Sequence, residues 1–92
     1  MACFVYILQC ADNSFYTGWT VDLAARISAH NKGAGAKYTR GRTPVQLVYS
    51  ETLPDKSTAL RREIEIKKLT RSEKVQLMEQ KTNAGFPFGV LH

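Results

Sequence analysis

Four side chains near the amino terminus have the types and spacing of a site that handles a phosphate group. Tyr6 and Tyr16 lie in two predicted strands of one hairpin. Arg26 and His30 follow on a predicted helix, where their i, i+4 spacing places both on one face. Arginine offers a fork of donors that suits phosphate oxygens, and histidine exchanges protons near neutral pH. Each residue alone has an ordinary structural explanation, but together they predict a phosphate site with a proton carrier.

Glu63 is the carboxylate that the sequence adds to this set. In a predicted helix that runs from Asp55 or Ser57 to about Leu69, Glu63 and Lys67 fall within the arc of apolar residues. A carboxylate that faces a core is costly unless it is paired or bound to a metal. One interpretation is a Glu63–Lys67 ion pair at the rim of the packed face. The other is a ligand for Mg²⁺, which needs only one or two carboxylates and completes its shell with phosphate oxygens and waters.

A glycine-rich segment from Gly33 to Pro44 carries several cations and no acid. Glycines let backbone N–H groups approach phosphates, and a basic loop with an aromatic residue suits a nucleic-acid backbone. The formal net charge of +5 also favours a polyanionic partner, although charge alone identifies none. The residues predicted to contact nucleic acid lie in or beside this segment, with one more on the later helix: Asn31, Lys32, Lys37, Tyr38, Arg40, Arg42 and Lys67.

The elements around these residues predict an α+β fold, with a small three-stranded antiparallel sheet flanked by helices in the order β-β-α-loop-β-α-α. The first strand is apolar on both faces and should be central. In the third strand, Val45, Leu47 and Tyr49 are expected on one face and Val48 on the other. A short helical turn is expected around Tyr38. The predicted strands cover residues 3–10, 15–20 and 45–52, and the last helix begins at a Thr70–Glu73 capping box.

The 92 residues suffice for one domain, expected at residues 1–82, with residues 83–92 as a C-terminal tail packed on it or trailing from it. Cys3 and Cys10 are read as small buried apolar residues and do not form a disulfide framework, which fits a reducing cytoplasm. The sequence predicts neither a targeting segment nor a membrane span.

These residues resemble the GIY-YIG nuclease domain family. Phe4-Val5-Tyr6 stands where the family has G-I-Y, and Tyr16-Thr17-Gly18 stands where it has Y-I-G. The spacing from there to Arg26, His30 and Glu63 is also similar. The short length and the K-Y-T loop resemble small stand-alone bacterial members, which are similar to the catalytic subunit of the eukaryotic Slx structure-specific nuclease. The phenylalanine and valine of the first motif depart from the family pattern.

The resemblance implies a GIY-YIG-like fold and metal-dependent hydrolysis of phosphodiester bonds in DNA, with Mg²⁺ or Mn²⁺ held by Glu63. It implies that Tyr6 or Tyr16 positions or deprotonates the attacking water. Arg26 would then stabilise charge on the phosphoryl oxygens, and His30 would assist the base or orient the nucleophile. Structure-specific cleavage of branched or damaged DNA, in repair or recombination, is the finer expectation.

Two other functions stay open at this point. Trp19 follows the second motif where some family members carry a lysine, so that weak or partner-dependent activity is expected. The first alternative is therefore a nucleic-acid-binding module that keeps the fold with little or no catalysis. The second is an interaction domain whose basic surface meets an acidic protein.

Overall fold

Three strands and three helices make up the fold in the computed structural model, which describes residues 2–85 and only the backbone of residues 81–85. The class and the order of elements are those predicted. The strands form one antiparallel sheet in the order β2-β1-β3, namely β1 (Cys3–Gln9), β2 (Phe15–Thr20) and β3 (Gln46–Leu53). The helices are α1 (Leu23–Asn31), α2 (Lys56–Lys67) and α3 (Arg71–Gly85), and a 3₁₀ turn (Lys37–Thr39) lies between α1 and β3.

The central strand β1 divides the core in two, because its side chains alternate between the faces of the sheet. One core lies under α2 and α3, and its buried members are Cys3, Val5, Ile7, Tyr49, Ala59 and Ile66. The other lies under α1, where Leu23 and Ile27 pack against Tyr6, Leu8, Cys10 and Val45. Helices α1 and α2 therefore cover opposite faces of the sheet. Both cysteines are free and buried, as the sequence predicted.

The predicted face of Tyr49 in β3 is wrong, because a β-bulge interrupts the pairing of β3 with β1, whereas Val45 and Val48 lie on opposite faces as predicted. Leu8 of β1 lies opposite Leu47. The next residue back, Ile7, lies opposite Tyr49, so Val48 is the extra residue on the bulged strand. Leu47 and Tyr49 consequently point to opposite faces: Tyr49 is buried in the core under α2, whereas Leu47 is 40% exposed.

The helix starts follow the local chemistry of the sequence. Asp22 caps α1 by accepting a hydrogen bond from the Ala25 N–H at 3.1 Å. The predicted capping box begins α3: the Glu73 N–H donates to the Thr70 hydroxyl at 3.2 Å, and the Thr70 N–H donates to the Glu73 carboxylate at 2.8 Å. Among residues 2–85, no helix combines the length and the apolar content that crossing a membrane requires.

A half-buried ion pair ties α2 to β3. The Arg62 guanidinium donates two hydrogen bonds of 2.8 Å to the Glu51 carboxylate, which also accepts a hydrogen bond from the Tyr49 hydroxyl. Burial and this carboxylate raise the pKa of Tyr49 to about 12, and hydrogen bonding to Glu51 raises the pKa of Arg62.

Helix α3 continues through residue 85, so the first three residues of the predicted tail belong to that helix. The rest of the predicted tail, residues 86–92, lies outside the described residues. The domain boundary at residue 82 therefore stays a prediction.

Candidate active site

A buried hydrogen bond between Tyr6 and His30 forms the centre of the candidate site. Tyr6 points from β1 toward α1, and His30 lies in the last turn of that helix. The Tyr6 hydroxyl oxygen is 3.0 Å from His30 Nε2, and the two residues are 1% and 0% exposed. The rings meet edge to face with their centroids 6.0 Å apart. A phenol buried in this way needs a polar partner, and His30 supplies it.

The second tyrosine reaches the same place from β2. The ring centroid of Tyr16 lies 5.2 Å from that of His30 and 6.4 Å from that of Tyr6. Gly18 pairs with Tyr6 across the sheet, and a Cβ at Gly18 would lie 2.6 Å from the Tyr6 hydroxyl oxygen. A glycine inside a strand usually marks a bulge or a close approach of other groups, and at Gly18 the structure has the close approach.

Charges from two helices act on the buried pair. Burial raises the pKa of Tyr6; the Arg26 guanidinium opposes this through hydrogen bonding and its charge, while Tyr16 and Glu63 add smaller increases. Burial lowers the pKa of His30, and the positive charge of Arg26 lowers it further. His30 is therefore neutral near pH 7 and able to accept a proton, next to a phenol whose ionised form Arg26 favours.

Glu63 approaches this group from α2, the helix on the opposite face of the sheet. Its side chain is 15% exposed, and one carboxylate oxygen lies 3.6 Å from Lys67 Nζ. The ion pair that the sequence offered as one interpretation is thus present. The carboxylate is nevertheless close enough for its charge to raise the pKa of Tyr6. Three predicted site residues, Tyr16, Arg26 and His30, thus lie around Tyr6, and the charge of Glu63 acts on Tyr6 from a greater distance.

The donor set suits a hard cation that brings most of its own ligands. Within residues 2–85, no three His, Cys, Asp or Glu side chains come together as a metal site. A cation at Glu63 would consequently take the remaining ligands from phosphate oxygens and waters, which is the usual arrangement for Mg²⁺. The mostly buried Glu63 carboxylate, as a single hard oxygen donor, fits that arrangement.

Thr39 and Gly35 belong to the site but were missed by sequence reasoning. Thr39 is fully buried, and its hydroxyl oxygen lies 2.8 Å from His30 Nδ1. A Cβ at Gly35 would overlap the His30 imidazole, so the loop packs directly on that ring. The sequence carries no clear signal for Thr39, because a threonine between Tyr38 and Arg40 in a basic segment is read as exposed.

The basic loop meets the site through aromatic contacts as well. Tyr38 stacks on Tyr16 with their ring centroids 6.0 Å apart and an angle of 24° between the planes. Arg42 lies over the Tyr38 ring at 4.2 Å, donates to the Tyr38 carbonyl and pairs with Asp12 at 3.0 Å. Three other cations predicted to contact nucleic acid lie exposed around this loop: Lys32, Lys37 and Arg40.

The Asn31 side chain makes two hydrogen bonds within the fold. Its side-chain amide donates to the Val45 carbonyl at 3.2 Å, and its oxygen accepts from the Val45 N–H at 2.7 Å. The residue therefore joins the end of α1 to the backbone just before β3, and its predicted contact with nucleic acid stays a prediction. Trp19 packs against the core under α2, with Lys56 Nζ 5.6 Å from its ring centroid.

Known proteins place this arrangement in a family. The model of the GIY-YIG catalytic domain matches residues 2–76. A UPF0213 protein from Clostridium perfringens is 60% identical over 86% of this chain and 85% of its own length. Another, from Haloquadratum walsbyi, is 55% identical over 91% and 94%. The solution NMR structure of a UPF0213 protein from Bacillus halodurans superposes with a TM-score of 0.60, at 48% identity, over 97% of this chain and 92% of that one. The chain therefore belongs to the GIY-YIG catalytic domain family and, within it, to the UPF0213 proteins.

Proposed function

We propose that this protein is a metal-dependent endonuclease that hydrolyses phosphodiester bonds in DNA. The observation that carries the proposal is the Tyr6 phenol, which shares a hydrogen bond with neutral His30 and lies beside the Arg26 guanidinium. A phenol so placed can pass its proton to the imidazole while its oxygen takes one from water. The match to a catalytic domain supports the same type of chemistry.

The proton transfers follow from the contacts of Tyr6. As water attacks the phosphorus, its proton moves to the Tyr6 oxygen, and the phenol proton moves to His30 Nε2 at 3.0 Å. Arg26 stabilises the negative charge that develops on the phenol and on the phosphoryl oxygens. The bond between phosphorus and the leaving oxygen breaks, and that oxygen takes a proton from solvent. The imidazolium then returns its proton through Tyr6.

Glu63 is the residue that would hold Mg²⁺ or Mn²⁺. When bound, such an ion supplies positive charge that polarises the scissile phosphate and stabilises the leaving oxygen. Lys67, now 3.6 Å from the carboxylate, would be released toward the DNA backbone. The ion pair also favours a second candidate function, a nucleic-acid-binding module with little catalysis, because it competes with a metal for the same oxygen.

The substrate class proposed is branched or damaged DNA, by the similarity to the Slx catalytic subunit that the motifs suggested. The exposed cations Lys32, Lys37 and Arg40, together with Tyr38 and Arg42, would lie along its backbone. Phosphate contacts of this kind position a duplex without reading its sequence. Selectivity would then come from DNA shape, at a flap or junction.

A cleavage panel tests the proposal against both alternatives. Duplex, flap, junction and single-stranded DNA are incubated with the full chain, with and without Mg²⁺ or Mn²⁺. One pair of variants tests the site, and a second pair of the same substitution types provides the control. Tyr6→Phe and Glu63→Gln should abolish cleavage, whereas Tyr49→Phe, which alters a buried tyrosine in the other core, and Glu65→Gln, which alters an exposed carboxylate on the same helix, should preserve it.

The outcomes separate the candidate functions. Metal-dependent cleavage that both site variants lose supports an endonuclease. Salt-sensitive binding to DNA that stays intact under every metal points to the binding module. Cleavage undiminished in Tyr6→Phe and Glu63→Gln would mean that another site or a contaminant is responsible.

A further inference from the structure

His30 has two hydrogen-bonding nitrogens, and the proposed chemistry uses only one of them. The second, Nδ1, points to the fully buried hydroxyl of Thr39 at 2.8 Å. That hydroxyl also lies 2.9 Å from the Ala36 carbonyl oxygen, three residues back in the same loop. A continuous hydrogen-bonded path therefore runs from the loop backbone through Thr39 and His30 to Tyr6.

The direction in which the Thr39 hydroxyl donates its single proton decides which nitrogen of the His30 imidazole is protonated. If Thr39 donates to the Ala36 carbonyl, its oxygen accepts from His30, which then carries its proton on Nδ1 and leaves Nε2 free. If Thr39 donates to Nδ1, the proton of His30 lies on Nε2 and points at the Tyr6 oxygen. Only the first arrangement gives the phenol proton an acceptor.

The surroundings of Tyr6 favour the first arrangement. The Arg26 guanidinium, which lowers the pKa of Tyr6, has donors only and offers the phenol proton no acceptor. Among the described residues, His30 Nε2 is the acceptor within reach of the phenol proton, and a buried hydroxyl proton with no acceptor is costly. One contact argues the other way, since the Ala36 N–H lies 3.4 Å from Nδ1. That distance is at the long limit of a hydrogen bond and weaker than the 2.8 Å contact with Thr39.

Thr39 also connects the imidazole to the loop that carries the exposed cations. It is the last residue of the 3₁₀ turn, and it faces inward between the outward-facing Tyr38 and Arg40. Gly35 allows the same loop to pack against the imidazole ring, where any larger residue would overlap it. The contacts of Thr39 and Gly35 with His30 thus set both the position of the loop and the tautomer of the imidazole.

We propose that Thr39 is a positioning residue that holds His30 in the Nδ1–H tautomer, so that Nε2 is open to the Tyr6 proton and the basic loop is coupled to proton transfer. Because Thr39 already accepts from Nδ1–H, the imidazolium can form without any rearrangement of this contact. The catalytic part of the inference rests on the proposed endonuclease function, whereas the tautomer of His30 does not.

Long-range ¹H–¹⁵N correlation of the imidazole rings in the labelled full chain tests the tautomer directly. The sequence has two histidines, so His92→Gln assigns the signals of His30. We expect wild-type His30 to show a protonated Nδ1 and an unprotonated Nε2 above its pKa. Thr39→Val should shift the ring toward Nε2–H, and Thr39→Ser should restore the original pattern. A wild-type ring protonated on Nε2 would overturn the proposal without any variant, and so would a pattern that Thr39→Val leaves unchanged.

The rate of cleavage of a DNA substrate that the wild type cleaves provides the second readout. Thr39→Val should lower kcat by roughly 10-fold or more with KM unchanged, because general acid–base transfer contributes about 10²–10⁴-fold. Thr39→Ser should recover most of this loss, and the exposed Thr52→Val should cause none. An equal loss in the serine variant, or a loss confined to KM, would contradict the role. If the wild type cleaves no DNA, the endonuclease proposal fails. The tautomer of His30, measured by NMR, then still tests the proposed role of Thr39.

Discussion

At the scale of single residues, the site depends on the missing side chain of Gly18. A Cβ there would lie 2.6 Å from the Tyr6 hydroxyl oxygen and 3.0 Å from the Tyr16 ring. We expect Gly18→Ala to lower the free energy of unfolding by about 1–3 kcal/mol, the usual cost of overpacking a core. Cleavage should fall further than this loss of stability explains, because the phenol must leave His30. Denaturant titration and cleavage rates on the same preparation measure both effects.

Gly33→Ala is the matched control for that substitution. Gly33 has a positive φ of 79° and no neighbour that a Cβ would meet, so alanine adds backbone strain without a clash. The strain should cost about 1–2 kcal/mol while the site stays intact. If the two variants lose activity in proportion to stability alone, the close approach at Gly18 does not matter for the chemistry.

His30 makes the stability of the fold depend on pH. In the folded chain, burial and Arg26 lower its pKa, whereas a histidine in an unfolded chain titrates near 6.5. Below about pH 6.5 the unfolded chain therefore binds more protons at this residue, so the free energy of unfolding falls as the pH falls. We expect the denaturation midpoint to drop between about pH 7.5 and pH 5.5, with a smaller drop in His30→Gln. An equal drop in both proteins would contradict this role of His30, and His92→Gln serves as the control.

At the scale of elements, the sequence predicted those parts that depend on local pattern. Apolar residues on both faces identified β1 as the central strand, and the Thr70–Glu73 capping box located the start of α3. The predicted face of Tyr49 in β3 was wrong because a bulge depends on pairing with another strand, which periodicity in one segment does not report. Thr39 was missed for the same reason: its role arises from a contact nine residues away along the chain.

Asn31 was predicted to contact nucleic acid, but in the structure it connects two elements of the fold. Its two hydrogen bonds to Val45 join the end of α1 to the start of β3. We expect Asn31→Ala to lower the free energy of unfolding by about 1–3 kcal/mol, since each such bond contributes about 0.5–1.5 kcal/mol. DNA affinity at a temperature where the variant is folded should change by less than about 2-fold. A large loss of affinity with little loss of stability would instead support the contact with nucleic acid that the sequence predicted.

At the scale of the whole molecule, the site is assembled from both faces of a small sheet. Tyr6, Arg26 and His30 lie on the side of α1, and Glu63 comes from α2 on the other side. The order of motifs along the chain predicted these residues, but it did not predict that the charge of Glu63 would act on Tyr6 from the helix on the other face of the sheet. Their convergence depends on Gly18, where the absence of a side chain leaves room for the phenol.

The positions of the positively charged side chains, and not only the net charge of +5, should govern binding to DNA. Each phosphate contact contributes about 0.9 to the slope of log K against log salt, because a bound cation releases counterions. We expect the double substitution Lys37→Ala and Arg40→Ala, in the loop beside the site, to reduce that slope by about 1–2. Arg61→Ala with Lys68→Ala removes the same charge from exposed positions at α2 and should leave the slope nearly unchanged. Fluorescence anisotropy over a range of salt concentrations measures both variants. Equal effects from the two pairs would mean that this surface binds DNA by net charge alone, and the basic loop would lose its proposed role.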